Sequence, residues 1–132
     1  MKTHYSIEFC AEDSILYMEL NGFWSTEDGK VFSEHFRSAV DSLKNTPFSV
    51  FIDVRQFKPQ KPAVLGMMKE NIKYAFNHGC QKTARYVSRE LTAFQLERLS
   101  KDIISPDKFK ISQNKKELLA WLNQNNTTHH SS

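Results

Sequence analysis

The stretch Phe48-Ser49-Val50-Phe51-Ile52-Asp53-Val54-Arg55-Gln56-Phe57 does most to limit what this chain can fold into. Its apolar run from Val50 to Val54 is broken only by Asp53, and β-branched and aromatic residues dominate it. Pro47 stands in front of it and Pro59 and Pro62 behind, which excludes a long helix. An apolar run of this length without clean in-out alternation predicts a strand covered on both faces, the centre of a sheet with helices packed on it.

The flanking sequence supplies the rest of such a sheet. Tyr5 to Cys10 alternates apolar and polar residues, Ala11 to Ser14 is turn chemistry, and Ile15 to Leu20 closed by Asn21-Gly22 is a second strand. Two short strands so close together predict an antiparallel hairpin. Ser25 with Asp28 three residues on predicts a capping box, and Phe32, Phe36, Ala39, Val40 and Leu43 mark the buried face of the helix that follows. Pro62 suits the first turn of a second helix carrying Leu65, Met68, Ile72, Ala75 and Phe76, and Gly79 suits its left-handed stop. Lys82 to Val87 reads as a strand. A third helix is expected from about Arg89 to Ile103, with Ser88 as its cap and Leu91, Phe94, Leu99 and Ile103 on one side. Phe109 to Ile111 reads as a short strand, and Asn114 caps a last helix with Leu118, Leu119, Trp121 and Leu122. The order is ββαβαβαβα, an α/β fold with a mixed, mostly parallel sheet of about five strands. Residues 1–123 form the single domain expected, and residues 124–132, without an apolar anchor, a flexible tail.

With 132 residues, 39% of them hydrophobic and 25% charged, the chain suits one globular core. No apolar run approaches the ~18–20 residues of a membrane span, and the first residues lack the apolar core of a signal peptide, so the expected compartment is the cytoplasm. Cys10 and Cys80 lie far apart and are expected as reduced thiols, with no zinc-ligand spacing around them. Residues 1–54 carry four Lys/Arg against nine Asp/Glu, and residues 55–132 fourteen against six. That split marks either a face for anionic partners or elements that neutralise each other on folding.

The hairpin ending Asn21-Gly22-Phe23-Trp24, the strand-end motif Ile52 to Phe57, the strand Ala84 to Val87 and the closing Leu119-Ala120-Trp121-Leu122 together resemble the SpoIIAA-like family. That family is related to STAS domains and has been compared with lipid-binding Sec14 folds. The resemblance covers nearly all of residues 5–122 and implies a STAS-like domain that acts by binding. Signalling STAS domains carry a phosphorylatable Ser or Thr in the loop after the central strand, whereas the loop here, Asp53 to Ala63, contains no hydroxyl. A switch based on a phosphate's added charge therefore lacks its acceptor.

Six residues are candidates for contact with a ligand or partner: Trp24, Asp53, Arg55, Phe57, Lys58 and Lys61. Asp53 and Arg55 end the central strand, where open α/β sheets place ligands, and point to one side. They serve either as an anchor for a polar group or as a brace for the linker. Lys58 and Lys61, with Lys69 and Lys73 one helical turn apart, form either a basic strip or a solvated face. Trp24 and Phe57 either pack against the neighbouring helix or rim an apolar groove. No catalytic motif is present, the His78-Gly79-Cys80 sequence lacks an orienting third group, and His4 and His35 have no partner at metal spacing. No nucleic-acid-reading motif occurs. The expectation is a non-enzymatic binding module without cofactor or metal, acting on a protein partner or a second copy of itself. The alternative is a carrier of a small apolar or anionic ligand, or of a lipid.

Overall fold

The computed structural model describes residues 4–128, with side chains to residue 124. Its elements are β1 (Tyr5–Cys10), β2 (Ile15–Gly22), α1 (Thr26–Ser42), β3 (Phe48–Phe57), α2 (Pro62–Asn77), β4 (Cys80–Tyr86), α3 (Glu90–Lys101), a 3-10 turn (Pro106–Lys108), β5 (Phe109–Ser112) and α4 (Lys115–Thr128). The strands lie side by side in chain order, β1-β2-β3-β4-β5. β1 is antiparallel to β2, and every later pairing is parallel. β3 is therefore the middle strand, as its apolar run predicts. α4 begins the expected tail as helix to Thr128, and residues 129–132 of that tail lie outside the described residues.

Each crossover from β2 to β5 steps to the next strand in the same direction, so right-handed connections carry α1, α2 and α3 to one face. Phe32 and Phe36 of α1, Val64 and Met68 of α2 and Leu96 of α3 accordingly share one core with Leu16, Met18, Val50 and Val54 of the sheet. Of the described helices, α4 covers the other face, where Leu118 and Leu122 pack with Ile15, Phe51 and Ala84. β3 is thus covered on both faces at its start but, on the α4 side, not at its end. Among the described residues no helix is long and apolar enough to cross a membrane.

Local chemistry sets the element ends. Ser25 Oγ accepts from the Asp28 amide at 3.0 Å while the Asp28 carboxylate accepts from the Ser25 amide at 2.9 Å, the reciprocal capping box expected there. Asn114 Oδ1 accepts from the Glu117 amide at 3.0 Å, capping α4. Gly79 has φ +109°, and a Cβ there would stand 3.0 Å from the Thr46 carbonyl, so only glycine fits between α2 and β4. At Gly29 α1 approaches α2, with the Met67 sulfur filling the space a Cβ would need.

α3 departs from expectation. Its buried residues are Thr92, Leu96 and Ser100, and Leu91 and Phe94 are 58% and 54% exposed. Leu99 of the expected face does pack on the core, with Ala93 and Leu96, but the inward side also carries the hydroxyls of Thr92 and Ser100. Thr92 Oγ1 donates to the Phe57 carbonyl at 3.2 Å, Gln95 bonds the backbone of Gln60, and Ser100 Oγ meets Arg85 at 2.5 Å. Buried polar groups on the sheet side need partners, and supplying them outweighs burying two more apolar side chains. Ser88 does not cap this helix. Its hydroxyl donates to the Arg55 carbonyl at 2.9 Å instead, and Arg89 occupies the N-cap without a side-chain bond.

Candidate functional site

Side chains alternate across a strand, and on β3 this separates the candidates. Ile52 and Val54 face α1–α3, whereas Phe51 faces α4 and Asp53 and Arg55 continue its row. Arg55 clasps Asp53 bidentately, with Nε donating to Oδ1 at 3.0 Å and Nη2 to Oδ2 at 2.8 Å. The Arg55 amide also donates to Oδ1 at 3.1 Å, and its guanidinium lies 4.4 Å above the centre of the Tyr86 ring. Burial alone would raise the Asp53 pKa, but the Arg55 hydrogen bonds and charge, aided by Lys115, bring it below the usual carboxylate range. Asp53 in turn raises that of Arg55. Much of this charge is therefore satisfied within the pair. Around the pair, Tyr17 packs on Phe51 and donates to Asp13, while Lys115 lies 5.9 Å from the Phe51 ring.

The other four candidates lie elsewhere. Trp24 and Phe57 do not rim a groove. They are 0% and 2% exposed and meet edge to face at 5.1 Å between ring centres, inside the α1–α3 core. A bulky apolar ring next to a helix start is most stable when it staples that start to the sheet, and Trp24 does so while its Nε1 donates to the Asn21 carbonyl at 2.8 Å. Lys58 is exposed, and its amide donates to the Gly22 carbonyl at 3.1 Å. Lys61 leans over the exposed Phe23 ring at 5.8 Å. Both sit beside the β2–α1 junction. Of Lys69 and Lys73, Lys73 pairs with Glu70 on its own helix at 3.4 Å. Among ion pairs of the described residues, Asp53–Arg55 joins the acidic and basic halves of the chain.

Two features not singled out from the sequence occupy the α1–α3 side. The linker residue Gln60 is 5% exposed and holds the β2–α1 and β3–α2 junctions together. Its Oε1 accepts from the Trp24 amide at 2.9 Å, and its Nε2 donates to the carbonyls of Gly22 at 2.8 Å and Lys58 at 2.5 Å.

The second is a cavity of about 50 Å³ between the sheet and the three helices, walled by Met18, Leu20, Ile52, Val54, Met68 and Leu96 among others, with Arg85 in its lining. The apolar cavity therefore lies on the opposite face from Asp53 and Arg55. Arg85 is 2% exposed. Its Nε donates to Thr83 Oγ1 at 3.2 Å and its Nη1 to Ser100 Oγ at 2.5 Å, and no carboxylate pairs with it among the described residues. Burial pulls its pKa down to about 10, with the nearby Cys80 acting in the opposite sense, so the group stays charged at neutral pH. In the same wall, burial pushes the Cys80 thiol up to about 12. His78 Nδ1 lies 2.7 Å from the Tyr74 carbonyl and Cys80 Sγ 3.5 Å from that of Lys82, so the two side chains engage separate backbone groups. Cys10 and Cys80 are both free thiols, and the described residues hold no cluster of three or more potential metal ligands.

No family model matches the sequence, and no curated protein matches it. Solved structures do match the fold. One is the crystal structure of an uncharacterized DUF3478-family protein with a SpoIIAA-like fold from Shewanella loihica PV-4, at TM-score 0.67 and 21% identity, covering 89% of this chain and 91% of that one. Another is the NMR structure of the protein TM1081, at TM-score 0.62 and 15% identity, covering 86% of this chain and 83% of that one.

Proposed function

From a SpoIIAA-like fold with two large apolar side chains exposed on α3, we propose that the chain is a non-enzymatic binding module whose partner is a protein, in the first instance a second copy of itself. The observation that carries this reading is the exposure of Leu91 and Phe94 on α3. Charges on the same helix favour a second copy as the occupant. Glu90 lies at its start, and Arg98 and Lys101 lie in its last turn, all exposed. Antiparallel pairing of α3 with its two-fold mate would set Glu90 of each copy near Lys101 of the other, with Phe94 close to the axis. Against an enzyme stands the Cys80 thiol, held far from its nucleophilic form by burial. Two free thiols fit a cytoplasmic place of action.

Light scattering after size exclusion tests the reading. A dimer that Phe94→Glu converts to a monomer supports it. A strict monomer at every concentration, with no partner enriched from lysate, overturns it.

One observation favours a second reading, that of a small-ligand carrier: the apolar cavity with a buried guanidinium in its wall. At about 50 Å³ it falls well short of the ~300 Å³ at which drug-sized pockets begin, so a lipid chain would not fit as the helices stand.

A further inference from the structure

An uncompensated charge is the least expected thing in a dry interior, because ionised groups are buried at high cost unless paired. Arg85 is such a group. Its two hydroxyl partners engage two of the five N–H groups of a guanidinium and bring no negative charge. The Phe109 ring, 5.7 Å from the guanidinium carbon, adds a weak cation–π contact only. The remaining lining is apolar side chain apart from Asn71, Thr83 and Cys80. Asn71 is already satisfied, donating to Ser33 and accepting from Arg37, and Cys80 is uncharged at neutral pH.

We propose that this cavity receives a small monocarboxylate, its carboxylate bonded to Arg85 and its short apolar tail lying among Met18, Ile52, Val54, Met68 and Leu96. The proposal rests on the small-ligand reading and names the ligand class. A guanidinium and a carboxylate match in charge and in the geometry of their fork. Size sets the tail. One water needs about 10–15 Å³ of such space, so the cavity of about 50 Å³ admits roughly three to five heavy atoms, a range that includes acetate and, at its upper end, propionate. A neutral guest of the same size would fill the space and leave the charge unanswered. A bare inorganic anion would answer the charge and leave the apolar wall empty.

The test uses the full chain with 13C-methyl methionine and reads the methyl resonances during titration. Met18 and Met68 line the cavity, and Met67 does not, so it serves as the internal control. Propionate is expected to shift Met18 and Met68 saturably and leave Met67 in place. Propionamide, 1-propanol and chloride are expected to bind at least tenfold more weakly, and Arg85→Met to weaken propionate at least tenfold. The ligand series on the unaltered chain decides the matter even if Arg85→Met fails to fold, and Arg85→Lys offers a milder second variant. Equal binding of propanol or propionamide would overturn the carboxylate class while leaving the small-ligand reading in place. Equal binding of chloride would overturn it in favour of a plain anion site. No shift of Met18 or Met68 with any guest would overturn both.

Discussion

Replacing Gln60 by Met tests whether one linker side chain holds two junctions of the fold. Methionine keeps nearly the same length and volume, so the substitution removes hydrogen bonds without opening much space. Three bonds are lost: from the Trp24 amide at 2.9 Å, and to the carbonyls of Gly22 at 2.8 Å and Lys58 at 2.5 Å. Each ordinary hydrogen bond contributes about 0.5–1.5 kcal/mol net, and a buried donor left unpaired costs about 1–3 kcal/mol. Trp24 is 0% exposed, so no water replaces the acceptor its amide loses. The expected loss is therefore about 3 kcal/mol, equivalent to a fall in Tm on the order of 10 °C. Equilibrium unfolding in urea, followed by tryptophan fluorescence, measures it, with an unchanged slope showing that the unfolded state is the same. Gln95→Ala, which removes bonds only to the Gln60 backbone, should cost less. A loss below about 1 kcal/mol for Gln60→Met would refute the reasoning, because the carbonyls and the amide would then have found other partners.

Three further outcomes are expected. At concentrations where the chain is monomeric, Leu91→Ser and Phe94→Ser should each change stability by no more than about 0.5 kcal/mol, whereas Leu96→Ala should cost about 2–5 kcal/mol, since only Leu96 of the three is buried within the chain; urea midpoints compare them. Mass spectrometry of the native protein treated with iodoacetamide at mildly alkaline pH should show Cys10 labelled well before Cys80, whose thiol sits near 12 under burial. Asp53 has a folded pKa below its ordinary value of 3.8, so its contribution is present above that value and lost as pH falls through the depressed one. The stability gap between the unaltered chain and Asp53→Asn should accordingly close in acid, and urea midpoints measured between neutral pH and pH 2 would show it.

The central strand was readable because three prolines confine an apolar run, and α1 because Ser25 and Asp28 satisfy each other locally. What stayed hidden depends on partners distant in sequence. Gln60 looks like solvated linker until Trp24, 36 residues away, is brought to it. Arg85 alternates with its neighbours as any strand residue does, and nothing local says that its side is the dry one. The phase of α3 is hidden for the same reason. Leu91, Phe94, Leu99 and Ile103 make a plausible apolar face, yet Thr92, Leu96 and Ser100 repeat at four and bring hydroxyls to the sheet. The second pattern wins because the Phe57 carbonyl and the Arg85 guanidinium lie opposite it, and neither is visible from the helix alone.

The division of the sheet into two faces also decides how the candidate residues can act. Asp53 and Arg55 share their strand with Ile52 and Val54 but open on the opposite side, so they cannot reach a guest in the cavity that Ile52 and Val54 line. The same alternation on β4 sends Arg85 into the cavity and its neighbour Tyr86 beneath Arg55. One guanidinium is therefore exposed and answered by a carboxylate on its own strand, while the other is buried and answered by hydroxyls alone. Pairing and solvent make the first inexpensive to keep as a brace. Desolvation without a counter-charge makes the second costly, and a complementary anion would relieve that cost. This asymmetry is why the proposed carboxylate is assigned to Arg85 beneath α1–α3, while Asp53 and Arg55 answer each other at the strand end.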